Sequence, residues 1–158
     1  MMRPRHMQAM LVPLAALAVS FADPGAAQAQ VLVVAERDLE FGLLSPGVQA
    51  IVAPTDVIRS AQLRVEGRGT YQVSFQLPAS LTSPTGHTIP LVFGPADGLL
   101  TIRNKITTFD PGTTASFRIN PAEWEARINL GARAQPVAGQ AAGSYSATIV
   151  MMVVQTGT

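Results

Sequence analysis

Between residues 31 and 158 apolar side chains recur at every second position, interrupted by Gly, Pro, Asn and Ser at intervals of roughly 8 to 12 residues. Strands point successive side chains to opposite faces, so this pattern specifies half-buried strands. An amphipathic helix needs an apolar stripe every three to four residues, and no stretch of three turns carries one. The clearest instance is the pair of runs around Gly67-Arg68-Gly69. Ala61, Leu63 and Val65 alternate with Gln62, Arg64 and Glu66, and then Tyr71, Val73, Phe75 and Leu77 alternate with Gln72, Ser74 and Gln76. The two glycines supply the positive backbone angles of a tight loop, which predicts a hairpin with Arg68 as a solvated charge at its tip.

The same reasoning extends along the chain. Val31, Leu32, Val33, Val34 and Ala35 form a continuous apolar run, and residues 38–44 alternate with Leu39, Phe41 and Leu43 on one face before Ser45-Pro46-Gly47 closes the strand. Residues 78–90 read as a long polar connection, with a short strand over 89–93. Residues 99–106 and 115–119 are strand candidates on either side of the Asp110-Pro111-Gly112 turn. Asn120-Pro121-Ala122-Glu123 offers a cap, a proline and a glutamate suited to one helical turn. Ile128, Leu130 and Ala132 form another alternating strand. Residues 144–155 are apolar on both faces: Tyr145, Ala147, Ile149, Met151 and Val153 on one, Val150, Met152 and Val154 on the other. That predicts a strand buried on both sides or lying beside a partner.

Residues 1–29 have the three-part plan of a secretory signal: Arg3, Arg5 and His6, then an apolar run over 11–22, then Ala27-Gln28-Ala29 as a small-x-small cleavage site. The run is shorter than the ~20 apolar residues that span a bilayer, so cleavage is expected and residues 30–158 form one domain without a transmembrane segment. The compartment expected is the periplasm or the cell surface. With no cysteine, disulfides, zinc thiolate sites, thiol catalysis and lipid attachment are all excluded. Hydrophobic residues make up 47% and charged residues 13%, which excludes a disordered chain, and a formal net charge of +1 gives no reason to expect nucleic acid as partner.

Little in the chain suggests reactive chemistry. His87, in the polar 78–90 segment, has no second ligand near it in sequence, so it is expected to be solvated rather than metal-bound. Glu123 and Glu125 flank Trp124, and this reads as a polar edge around one buried indole rather than a catalytic carboxylate pair. Gly143-Ser144-Tyr145-Ser146 lacks the second glycine of a nucleophile elbow, and the phosphate-loop and dinucleotide glycine patterns are absent. No enzyme, catalytic residue, metal or cofactor is expected.

Three segments together resemble a known family: Asp38-Leu39-Glu40-Phe41-Gly42, Val65-Glu66-Gly67-Arg68-Gly69-Thr70-Tyr71-Gln72-Val73 and Ala142-Gly143-Ser144-Tyr145-Ser146-Ala147-Thr148. Their order and spacing resemble the exported bacterial domain of unknown function 4402, itself similar to spore coat protein U and other fimbrial pilin-like subunits. The resemblance implies an all-β, immunoglobulin-like, pilin-type antiparallel β-sandwich that lacks one strand. It also implies a periplasmic chaperone and usher and other pilin-like subunits as partners. On that expectation Val31, Leu32, Val33, Val34 and Ala35 are the donor strand, and Tyr145, Ala147, Ile149, Met151 and Val153 line the acceptor groove. The alternative is a self-contained surface sandwich that binds a ligand such as a glycan, with the 78–90 loop and Trp124 as contact points.

Overall fold

The computed structural model describes residues 31–158; the expected signal, 1–29, lies outside the described residues. In chain order the strands are β1 (Leu32–Arg37), β2 (Ala50–Val52), β3 (Ala61–Glu66), β4 (Gly69–Gln76), β5 (Ser80–Thr82), β6 (Thr88–Val92), β7 (Gly98–Ile102), β8 (Lys105–Phe109), β9 (Ala115–Ile119), β10 (Glu125–Leu130), β11 (Ala132–Ala134) and β12 (Val150–Gly157). Among the described residues there is no helix. Three sheets result, of order β1-β3-β10-β7-β8, β2-β11-β6-β5 and β12-β4-β9, and their strand pairs are antiparallel. The fold is an all-β antiparallel sandwich.

Its main core joins the five-stranded sheet to the three-stranded one. Val65 of β3 and Ala126, Ile128 and Leu130 of β10 meet Tyr71 and Val73 of β4 and Phe117 and Ile119 of β9. These are the alternate residues that the sequence pattern marks as inward, and several are wholly buried. Each large aliphatic so buried contributes about 1.5–3 kcal/mol. Aromatic pairs reinforce the packing, with ring centroids 5.7 Å apart for Tyr71 and Phe117 and 6.2 Å for Phe75 and Phe109. A smaller core of Ile89, Leu91 and Ala134 lies under the four-stranded sheet.

The strands flanking Gly67-Arg68-Gly69 form where expected, but they do not pair with each other. β3 pairs with β1 and β10, whereas β4 pairs with β12 and β9, so the loop is a corner between sheets rather than a hairpin tip. Gly69 has φ +127°, and a Cβ there would collide with the carbonyl oxygen of Gly157. Alternation fixes which face of each run is apolar, but it is silent about which strand lies alongside.

Other expectations change in similar ways. Residues 38–44 form no strand: Gly42, at φ +68°, breaks the alternation, so Leu39 and Phe41 pack inward while Leu43 is exposed. The polar 78–90 connection contains β5, which pairs as a hairpin with β6. The run over 99–106 is divided between β7 and β8, which turn on Arg103 at φ 56°. Residues 120–123 make a turn instead of a helix, closed by the Glu123 amide donating to the Asn120 carbonyl at 2.9 Å and by the Asn120 amide donating to the Glu123 carboxylate at 3.1 Å. The strand read over 144–155 begins at Val150, and only one of its faces is covered.

Ile128→Ala is expected to lose about 2–5 kcal/mol of stability by leaving a cavity in the main core. Met152→Ala, on an outward face, should cost less than about 0.5 kcal/mol. Urea unfolding of the two variants checks the contrast.

Candidate functional site

An apolar groove, a cavity of about 350 Å³, opens between the segment that follows β1 and the segment that leads into β12. Leu39 and Phe41 supply one wall, Tyr145, Ala147 and Ile149 the other, and Leu63, Leu130 and Ile89 contribute from β3, β10 and β6. Neither wall is built from paired strand: residues 38–44 and 147–149 belong to no strand.

The first wall is held by a polar relay that starts at Asp56. One Asp56 carboxylate oxygen accepts the amides of Ile58 and Arg59 at 3.0 Å each, and the other accepts Arg59 Nε at 2.8 Å. The turn so formed places Ser60, which is fully buried. Its hydroxyl donates to the Asp56 carbonyl at 2.6 Å and accepts from Arg37 at 3.2 Å and Asn129 at 3.3 Å, while its carbonyl accepts Arg37 Nε at 2.7 Å. The Glu40 amide donates to the Arg59 carbonyl at 2.9 Å. A buried hydroxyl with all these partners satisfied fixes geometry, because losing any of them strands a polar group away from water. The second wall is fastened by Tyr145, whose hydroxyl donates to the Ala141 carbonyl and accepts from Gln140 Nε2, both at 2.7 Å. Paired backbone bonds between Thr82 and Ser146, 2.8 and 3.0 Å, tie this wall to β5.

Of the residues expected to line an acceptor groove, Tyr145, Ala147, Ile149 and Met151 border this cavity, while Val153 packs on the main core beyond it. Val31 and Val33 also pack against that core, and residues 32–35 lie in β1, where Leu32 faces Glu66 and Ala35 faces Leu63 across the ladder to β3. The candidate donor is therefore an edge strand of its own domain. The groove residues that alternation did not assign, Leu63, Ile89 and Leu130, look from sequence like any other core positions.

β12 bounds the three-stranded sheet, and among the described residues no strand pairs with its outer edge. Its outward face shows Met152 at 46% and Val154 at 57% exposure, so the strand is not buried on both sides in this chain. The second apolar face is open to solvent.

Trp124 departs furthest from expectation. Instead of filling the core it is 60% exposed, in the left-handed region at φ 61°. The residue precedes the final β3–β10 pair, Glu66 with Glu125, so no opposing sheet covers it. Holding a bulky residue in that region costs about 1–3 kcal/mol. The Arg68 guanidinium lies over the indole at 4.1 Å from the ring centroid, so Arg68 is not simply solvated.

No protein-family model matches the chain, and no curated protein matches it. Among solved structures it is similar to a chain from a chaperone–tip adhesin complex described as vital for synergistic activation of CFA/I fimbriae biogenesis, with a TM-score of 0.48 and 14% identity. That likeness covers 80% of this chain and 42% of the other, so this chain spans less than half of its neighbour's length.

The Asp56 relay has a pH signature. The backbone amides of Arg59 and Ile58 lower the Asp56 carboxyl below its ordinary value of 3.8. Its contribution to the turn is therefore complete above that value and is lost as pH falls through the lowered one. The protection of the residue 37–40 amides, taken relative to intrinsic exchange at each pH, is expected to fall on acidification over that window, and Asp56→Asn should flatten the response.

Proposed function

We propose that this chain is a non-enzymatic, exported, pilin-like structural subunit that assembles at the cell surface by strand exchange. The observation that carries the reading is the open apolar groove beside the unpaired edge of β12. A strand laid there would hydrogen-bond to that edge and drop alternate side chains into the groove, the arrangement of β-augmentation. Folded proteins ordinarily blunt a free edge with charges, proline or a cover, because an open ladder recruits other chains. β12 is eight residues long, Val-Met-Met-Val-Val-Gln-Thr-Gly, with neither charge nor proline.

The proposed donor is Val31, Leu32, Val33, Val34 and Ala35 of a second copy or a related subunit. Its own β1 pairing would be given up on donation, and the shift in register between Ala35 and Arg37 marks a natural place for the segment to part. Glu36 and Arg37, bonded to Arg64 and Ser60, would stay behind as the anchor. A periplasmic chaperone and an usher fit as earlier occupants of the same edge. The signal-like residues 1–29 support export.

The exported material should run as a ladder on a denaturing gel without boiling and collapse to one band on heating, since a strand-exchanged contact holds a whole ladder of hydrogen bonds plus buried side chains. Deleting residues 31–35 is expected to abolish the ladder. Ala147→Phe, which fills the groove, should abolish acceptance while leaving donation intact. A stable monomer from the full chain, or an unchanged ladder from the deletion, overturns the reading.

A further inference from the structure

We propose that β8 is a self-association edge, on which a second copy of the chain docks its own β8 antiparallel about a two-fold axis. The pairing joins two five-stranded sheets into one. It uses neither the groove nor β12, so it stands apart from the strand-exchange reading.

β8 ends the five-stranded sheet, with β7 on one side and, among the described residues, no strand on the other. Its sequence, Lys-Ile-Thr-Thr-Phe, is free of proline and centred on three β-branched residues, which suit an extended ladder. Lys105, Ile106, Thr107 and Thr108 are exposed, Ile106 at 65%. The ladder to β7 sets Lys105 opposite Ile102, Thr107 opposite Leu100 and Phe109 opposite Gly98, so Lys105 and Thr107 share the face that bears Phe109. On that face Leu100, Ile102 and Phe109 pack against the main core, yet Lys105 and Thr107 are exposed. The opposing sheet therefore stops short of β8, which leaves room beside it for another strand.

Charge decides which strand that is. A lysine on a free edge guards it against arbitrary partners, so the edge accepts only a strand that brings a carboxylate to that lysine. Lys105 opens β8 and Arg103 stands in the turn before it, and neither is ion-paired among the described residues. Asp110 directly follows β8; its carboxylate accepts the Gly112 amide at 2.8 Å and meets no cation among the described residues. In a two-fold antiparallel pair centred on Thr107, Thr107 faces Thr107, Ile106 faces Thr108 and Lys105 faces Phe109. The Arg103 and Lys105 end of each copy then lies beside Asp110 of the other, twice over by symmetry. The other edges offer less: β2 and β5 have three residues each, β1 is interrupted by its register shift, and β9 carries Arg118 but no carboxylate.

The chain has no cysteine, so single substitutions read the register directly. Facing Cα atoms in an antiparallel pair lie about 4.5–5.5 Å apart, within reach of a disulfide. The two copies of residue 106 would lie about 8 Å apart, beyond that reach. The full exported chain carrying Thr107→Cys, oxidised with copper phenanthroline, is expected to give a covalent dimer on a boiled, non-reducing gel. Ile106→Cys alone and Thr108→Cys alone should give about tenfold less, and an equal mixture of these two should restore the dimer. Lys105→Glu in the Thr107→Cys background turns the Lys105 attractions into repulsions and should lower the yield about tenfold, whereas Lys105→Arg should keep it. Boiling disperses strand-exchanged contacts but not a disulfide, so the two assemblies are read separately. Circular dichroism checks that each variant is folded; should Thr107→Cys fail to fold, the mixture of the other two decides. No dimer from folded Thr107→Cys, equal dimer from all three single variants, or an unchanged yield with Lys105→Glu overturns the proposal.

Discussion

At Gly67-Arg68-Gly69 the backbone leaves the five-stranded sheet and enters the three-stranded one, and the architecture around the groove depends on that crossing. Had β3 and β4 paired, a single ladder would have used up the inner edges of both. Crossing instead frees each strand for two other partners, β1 and β10 for β3, β12 and β9 for β4. The outermost of these, β1 and β12, become edges of opposite layers. The segment leaving β1 and the segment arriving at β12 then face each other over apolar floor residues such as Leu63 and Leu130. The tightness of the corner is set by Gly69, whose missing side chain makes room for the Gly157 carbonyl.

Two kinds of order hold the groove walls, and neither is a continuous strand ladder. One wall rests on a chain of hydrogen bonds running from Asp56 through Ser60 to Arg37, and the other on the Tyr145 hydroxyl and the Thr82–Ser146 bridge. Buried, satisfied polar groups of this sort specify a geometry more than they stabilise it.

Much of the fold was legible in the sequence because the side-chain period of a strand is local information. Residues 61–66, 69–76 and 115–119 emerge as strands with the inward positions that alternation assigns. Pairing is not local, so the 61–76 region reads as a hairpin although its two strands never touch as a ladder. The groove was half legible. Tyr145, Ala147, Ile149 and Met151 stand out by alternation, while the floor residues carry no mark that separates them from core. Trp124 misleads for a related reason: an apolar side chain signals burial only if a second layer lies over it, and the position one residue before β10 has none.

The three-stranded sheet pairs residues 70–76 with residues 150–157, a separation of about half the chain. Loop-closure entropy must be overcome before such a pairing is rewarded, which makes formation slow relative to local hairpins. It also means that β4 has an open flank, and the Tyr71–Phe117 layer one uncovered side, until residues 150–157 have emerged. A chain with this order of events stays incompletely folded for as long as residues 150–157 are still being made, with the apolar faces of Val73 and Phe117 bare in the meantime.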